Sequence, residues 1–148
     1  MSYCTFLAAD CFLPEVKPEK DYPLEINVDE GTIYDGGAND NYSFWKFDEV
    51  GDYTDKSSGV VLDWNYYTVK RGGQIIEYIK KALESCDSVE LWRVWLMDYY
   101  EYNERPYYRR SEISIDEITE EDIKKISDMD VWSSYKNRPT YYCLKITR

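Results

Sequence analysis

Four cysteines, 29 carboxylates, 16 tyrosines and no histidine decide which chemistry this 148-residue chain can attempt. Without imidazole, the usual proton shuttle near neutral pH is missing. Ser-His-Asp and Cys-His mechanisms are excluded, as is any zinc site that needs histidine. The cysteines are Cys4, Cys11, Cys86 and Cys143, and no two share C-x-x-C spacing. Zinc ribbons and thioredoxin-like exchange are therefore not expected. The four read as reduced, mostly buried thiols. No metal and no cofactor is expected.

Three other segments resemble sites and fail on spacing. Residues 29–41 gather Asp29, Glu30, Asp35, Asn39, Asp40 and Asn41 around three glycines. A calcium loop of the EF-hand kind needs oxygen ligands at positions one, three and five and glycine at six. Counting from Asp35 puts Gly37 third and Asp40 sixth, and counting from Asp29 puts Ile33 fifth. A plain turn is the better reading of the segment. Lys70-Arg71-Gly72-Gly73 precedes a helical pattern and offers cations beside a helix start, but fits no glycine-rich phosphate fingerprint. Carboxylate pairs suited to acid–base work arise everywhere by chance at this acidity, so none is singled out.

The segment Asp98–Tyr108 is the most informative. It interleaves five tyrosines with Asp98, Glu101 and Glu104 between two strand-like runs. Rigid aromatic rings flanked by negative charge suit a basic protein surface. Tyr99, Tyr100, Glu101, Tyr102 and Glu104 are the expected interface residues. The competing reading is that these rings alternate into the two faces of a sheet and simply pack.

The whole chain shares this bias. Eighteen lysines and arginines leave a formal net charge of −11. Such a surface repels nucleic-acid phosphates and anionic membranes. It speeds encounter with a basic partner, although acidity also serves plain solubility. Residues 1–13 are partly apolar but lack a basic leader, and Asp10 interrupts them. A cytoplasmic protein is expected.

Elements must position these groups. A chain this long buries roughly 70% of its unfolded surface, enough for one domain with its own core. Strands are expected at residues 2–9, 24–28, 42–48, 60–64, 89–97, 107–115 and 140–147. Leu24, Ile26 and Val28 alternate with polar residues, which marks a strand with one wet face. Val89–Met97 is apolar on both faces and should lie centrally, with 107–115 paired to it as a long hairpin. A helix is expected over 73–85, from Ile75, Ile76, Ile79, Ala82, Leu83 and Cys86 on one face and a Glu77–Lys81 pair on the other. A second is expected over 119–127, capped by Thr119 and stapled by Ile118 and Ile123, with Ser114 and Glu117 as a rival start. Asn103–Tyr108 and Asn137–Tyr142 echo one another, each leading through Arg-Pro into paired tyrosines. The fold class is α+β: a single domain with a mostly antiparallel sheet and two helices.

The expected function is an acidic protein-binding module, in concrete form a bacterial immunity- or inhibitor-type protein that occludes a basic partner such as a nuclease. The alternatives are a small-molecule enzyme using carboxylate, Lys or Tyr chemistry, and a structural domain that dimerises through its tyrosines.

Overall fold

The first strand, β1 (Tyr3–Ala9), is buried on both faces along nearly its whole length. That burial follows from its neighbours, since β5 (Ser58–Asp63) and β6 (Ser88–Trp95) flank it, both antiparallel. The computed structural model describes residues 3–17, 25–34, 43–63, 67–96, 106–131 and 139–148. With β4 (Ser43–Lys46), β7 (Tyr107–Ser114) and β8 (Thr140–Thr147), the main sheet runs β4-β5-β1-β6-β8-β7. The fold is α+β, as the sequence predicts, and β6 is internal as its two-faced apolar pattern requires.

Two helices, α1 (Val69–Ala82) and α2 (Glu120–Asp128), join the sheet in one core. Ile75, Ile76, Ile79 and Leu83 from the α1 segment and Ile123 and Ile126 from α2 pack with Leu7, Leu91, Leu144 and Ile146 of the strands. The alternate strand residues, Cys4, Phe6, Trp92, Tyr141 and Cys143, form a second core on the other face with Phe47 and Val50. Val50 belongs to a 3₁₀ turn, Asp48–Asp52, where the sequence predicts only a polar loop. Gly59 lets this turn approach β5, because a Cβ there would stand 2.8 Å from Val50 Cγ2.

Residues 107–115 do not form a hairpin with the preceding strand. β8 lies between β6 and β7, and β7 pairs with β8 in parallel, Tyr108 opposite Tyr141. The reason is α2. A helix laid on the sheet returns the chain to the end where it began, so the next strand runs parallel. The Arg-Pro echo thereby becomes spatial, because the two tyrosine pairs open adjacent strands and Tyr107 N–H donates to Pro139 C=O at 3.0 Å.

The first helix begins four residues earlier than glycine content suggests. Thr68 caps it by accepting from Arg71 N–H at 3.1 Å, which places Gly72 and Gly73 inside the helix. The segment 70–73 is therefore not an exposed helix approach, and Arg71 is fully buried. On the outer face Glu77 pairs with Lys80 at 3.4 Å rather than with Lys81. The second helix starts where Thr119 predicts. Thr119 N–H donates to Asp122 Oδ2 at 2.9 Å, and Ile118 and Ile123 join the same core. Ser114 ends β7 instead of opening a helix.

A separate two-stranded hairpin joins β2 (Glu25–Asn27) to β3 (Thr32–Tyr34) through Gly31 at positive φ. β3 falls where the sequence suggests turns. Leu24 lies outside the described residues, but Ile26 and Val28 of the expected alternation are exposed, as is Ile33. Among the described residues the hairpin forms its own sheet, with no strand of the main sheet paired to it.

The two helical glycines make opposite predictions. A Cβ at Gly73 meets only Glu120 Oε1, at 3.9 Å. Gly73→Ala is expected to stabilise the protein by about 0.5–1 kcal/mol, the usual gain of replacing glycine within a helix. At Gly72 a Cβ would stand 2.7 Å from the Tyr67 hydroxyl, which donates to Glu120 C=O at 2.8 Å and ties the start of α1 to α2. Gly72→Ala must displace that ring and is expected to lack the gain. Urea denaturation of the two variants side by side checks both.

Candidate functional site

At one end of the sheet β1 starts, β6 stops, and β8 and β7 start. Tyr3 lies opposite Trp95, and Thr140 opposite Tyr107. The connection from β6 to β7 leaves and returns at this end. Tyr99, Tyr100, Glu101, Tyr102 and Glu104, the residues expected from sequence to form an interface, lie outside the described residues. What surrounds the two ends of that connection is described. Tyr3, Tyr107 and Tyr108 are exposed, while Tyr53, Tyr67, Tyr78 and Tyr142 are half-buried and Tyr141 is buried. Among residues whose burial is described, the exposed phenols therefore gather at this one end.

Their neighbours carry both signs of charge. The Tyr3 hydroxyl donates to Asp130 Oδ1 at 3.3 Å, and its ring stands edge-on to Trp95 at 4.9 Å. The Arg93 guanidinium lies 4.7 Å from the centre of the Tyr3 ring and donates to Thr5 Oγ1 at 3.0 Å. Burial holds Arg93 below the ordinary arginine value. Arg110 stacks over Trp92 and Tyr108. The anionic groups shown at this end are Asp130, which accepts from Tyr3, and Asp128, whose charge acts on Arg93. Asp116 and Glu117 instead lie past the other end of β7, where Ser114 is opposite Thr147, and with Glu120 and Glu121 they are exposed and outside any ion pair among the described residues.

The opposite end of the sheet holds a cleft of about 340 Å³ lined by Asp10, Lys56, Cys86, Asp87, Ser88 and Arg148 among others. Lys56 Nζ pairs with Asp10 Oδ2 at 3.1 Å. Burial alone pulls this ammonium down, yet Asp10, Glu90 and Asp55 together hold it above its ordinary value. Arg148 Nε donates to Leu83 C=O at 2.7 Å and to Cys86 C=O at 3.1 Å, tying the last residue of the chain to the turn after α1. Behind that turn the sulfurs of Cys11 and Cys86 stand 2.7 Å apart.

Among the described residues, the second core face carries one buried carboxylate. Glu90 Oε1 accepts from Thr54 Oγ1 at 2.6 Å and from the Trp92 indole at 3.0 Å. Both bonds serve the core, and the chain offers no imidazole with which this acid could share a proton. Cys4 and Cys143 lie on the same face as buried free thiols, as the sequence predicts. Burial pushes each of them up to about 12.

Comparison with protein-family models, with curated proteins and with solved structures finds no match to this chain. Among the described residues no group of three or more potential ligands is placed to hold a metal ion, and no helix is long and apolar enough to cross a membrane.

Sequence reasoning misses the Cys11–Cys86 pair because 75 positions separate the two residues. The signal is strand pairing. Ala9 lies opposite Val89, so residues just past the end of β1 meet those just before β6. Glu90 was legible only as a lone carboxylate inside an apolar run.

Proposed function

We propose that this protein is an acidic binding module that occludes a basic protein partner through the sheet end bearing the β6–β7 connection. One observation carries the reading: the exposed tyrosines Tyr3, Tyr107 and Tyr108 flank the start and finish of a connection that is itself rich in tyrosine and carboxylate. Tyr99, Tyr100 and Tyr102 desolvate the contact, while Asp98, Glu101 and Glu104 pair with lysine or arginine. Rigid rings give large contact area at small entropic cost, and opposite charge speeds docking. The net charge of −11 extends the attraction beyond the contact and disfavours nucleic acid as the partner. Arg93 and Arg110 oppose the attraction locally, but both guanidinium groups are stacked on rings. The concrete form is an inhibitor or immunity-type protein acting in the cytoplasm on an enzyme such as a nuclease.

Retention of basic proteins by the immobilised chain across a salt series tests this reading. Screening lengths shrink from about 10 Å at 0.1 M salt to about 3 Å at 1 M. Retention is expected at low salt, to weaken as salt rises, and to be lost when Tyr99, Tyr100 and Tyr102 become alanine in a chain that still folds. Retention untouched by those changes contradicts the proposed surface.

A second reading has an observation of its own. β7 is an edge strand whose residues from Tyr107 to Glu112 are all exposed. Two copies paired antiparallel about Ser111 would set Arg110 of each against Glu112 of the other, which suits a symmetric dimer. Light scattering over a concentration series separates the two readings, because occlusion by a single chain needs no second copy.

A further inference from the structure

We propose that Cys11 and Cys86 form a reversible disulfide that locks the turn after α1 to the end of β1, with a low-molecular-weight disulfide such as glutathione disulfide as the oxidant. The pair is independent of the binding surface, since it sits at the other end of the sheet.

The geometry brings two thiols onto one acceptor. Cys11 Sγ lies 3.6 Å and Cys86 Sγ 3.2 Å from the carbonyl oxygen of Ala82. The sulfurs are 2.7 Å apart, nearer than an unbonded contact between thiols and a short movement from the bond length of about 2.05 Å. Both side chains are only half-buried, in contrast to Cys4 and Cys143. Arg148 holds the Cys86 turn in place through Leu83 and Cys86 carbonyls, so the pair is positioned before any reaction. Cys86 lines the cleft, where Lys56 and Arg148 pair with Asp10 and Asp87, so a small disulfide can reach its sulfur from solvent.

The steps balance with that reagent alone. The Cys86 thiolate attacks one sulfur of the small disulfide, forming a mixed disulfide and releasing one thiolate. Cys11 then loses its proton and attacks the Cys86 sulfur, displacing the second. Two cysteine thiols are oxidised by two electrons, the small disulfide is reduced to two thiols, and these take up the two protons. Burial and the contact with Cys86 raise the Cys11 thiol, which slows its ionisation. Proximity compensates in the second step, because the attack is intramolecular.

A bridge between positions 75 apart closes a long loop in the unfolded chain. The melting temperature is expected to rise by roughly 10 °C on oxidation. The test starts from fully reduced full-length protein treated with glutathione disulfide under native conditions. Intact mass is expected to fall by two hydrogens, peptide mapping to join Cys11 to Cys86, and the melting temperature to rise and return on reduction. Cys11→Ser is expected to stop at a stable glutathione adduct on Cys86, with no rise. The proposal is overturned if the wild-type protein keeps both thiols free, if it too accumulates the adduct, or if the mapped bridge involves Cys4 or Cys143.

Discussion

Replacing Trp92 with alanine is expected to destabilise the protein by about 3–5 kcal/mol, the usual cost of removing a large buried ring. Trp92 is fully buried at the centre of the second core face. Its ring is nearly parallel to Phe6 at 6.0 Å, and Tyr108 meets it edge-on at 6.2 Å. The Arg110 guanidinium lies 5.3 Å from its centre. Truncation opens a cavity between strands that cannot collapse, because β1 and β8 are fixed by pairing on either side of β6. It also removes the indole donor from Glu90. Trp92→Phe is milder, since it keeps one aromatic ring in the core while losing the indole donor and the volume of the second ring. Its expected cost is about 1–3 kcal/mol, that of a buried polar group losing a partner. Denaturant titration reads both as a shifted midpoint at unchanged slope. A cost below about 1 kcal/mol for Trp92→Ala would show that this face is not a true core.

The second large effect is a loss of stability in alkali. Burial holds the Cys4 and Cys143 thiols up to about 12, against an ordinary value of 9.0. The unfolded chain releases these protons near pH 9, while the folded chain keeps them until near pH 12. Between those limits the folded state binds more protons, so stability falls as pH rises. Below pH 9 the contribution is fully present. Each thiol steepens the fall by about 1.4 kcal/mol per pH unit, and the two together by about 3. Tyr78, raised by burial, acts in the same direction from higher pH. Stability measured by urea at about pH 8 and about pH 10.5 should therefore drop by about 3–4 kcal/mol more in the wild type than in the Cys4→Ala, Cys143→Ala double variant. Equal drops in the two proteins would mean that these thiols are already solvated in the folded state.

Period and capping made most of the fold legible. The isoleucine stripe from Ile75 to Ile79 and the Thr119 cap depend only on near neighbours, and both appear as read. The two-faced apolar run of β6 announces a central strand without reference to the rest of the chain. What local pattern could not supply was partner choice. β7 could have paired with β6 or β8, and it is the burial that β8 gains beside β6 that leaves the polar β7 on the edge. The start of α1 was misplaced for a related reason. Glycines normally mark a helix boundary, but Gly72 is kept inside α1 beneath the Tyr67 ring. The Cys11–Cys86 pair escaped because it arises from the pairing of β1 with β6, which no short segment encodes. The exposed tyrosines could not be picked out from alternation alone. Tyr141 and Tyr108 face the same core at 5.7 Å, yet one is buried in an internal strand and the other is exposed on an edge strand.

The two ends of the sheet thus carry different chemistry, with exposed phenols and Asp130 at one and paired thiols beside a charged cleft at the other. Hydrogen exchange on the protein alone and on its complex with the basic protein it retains at low salt most directly tests the claim that the first end is a binding surface. Slowed exchange confined to residues 97–108 and the neighbouring starts of β1 and β8 is the predicted result. Protection centred on the cleft near Cys86, or none anywhere on the chain, would contradict it.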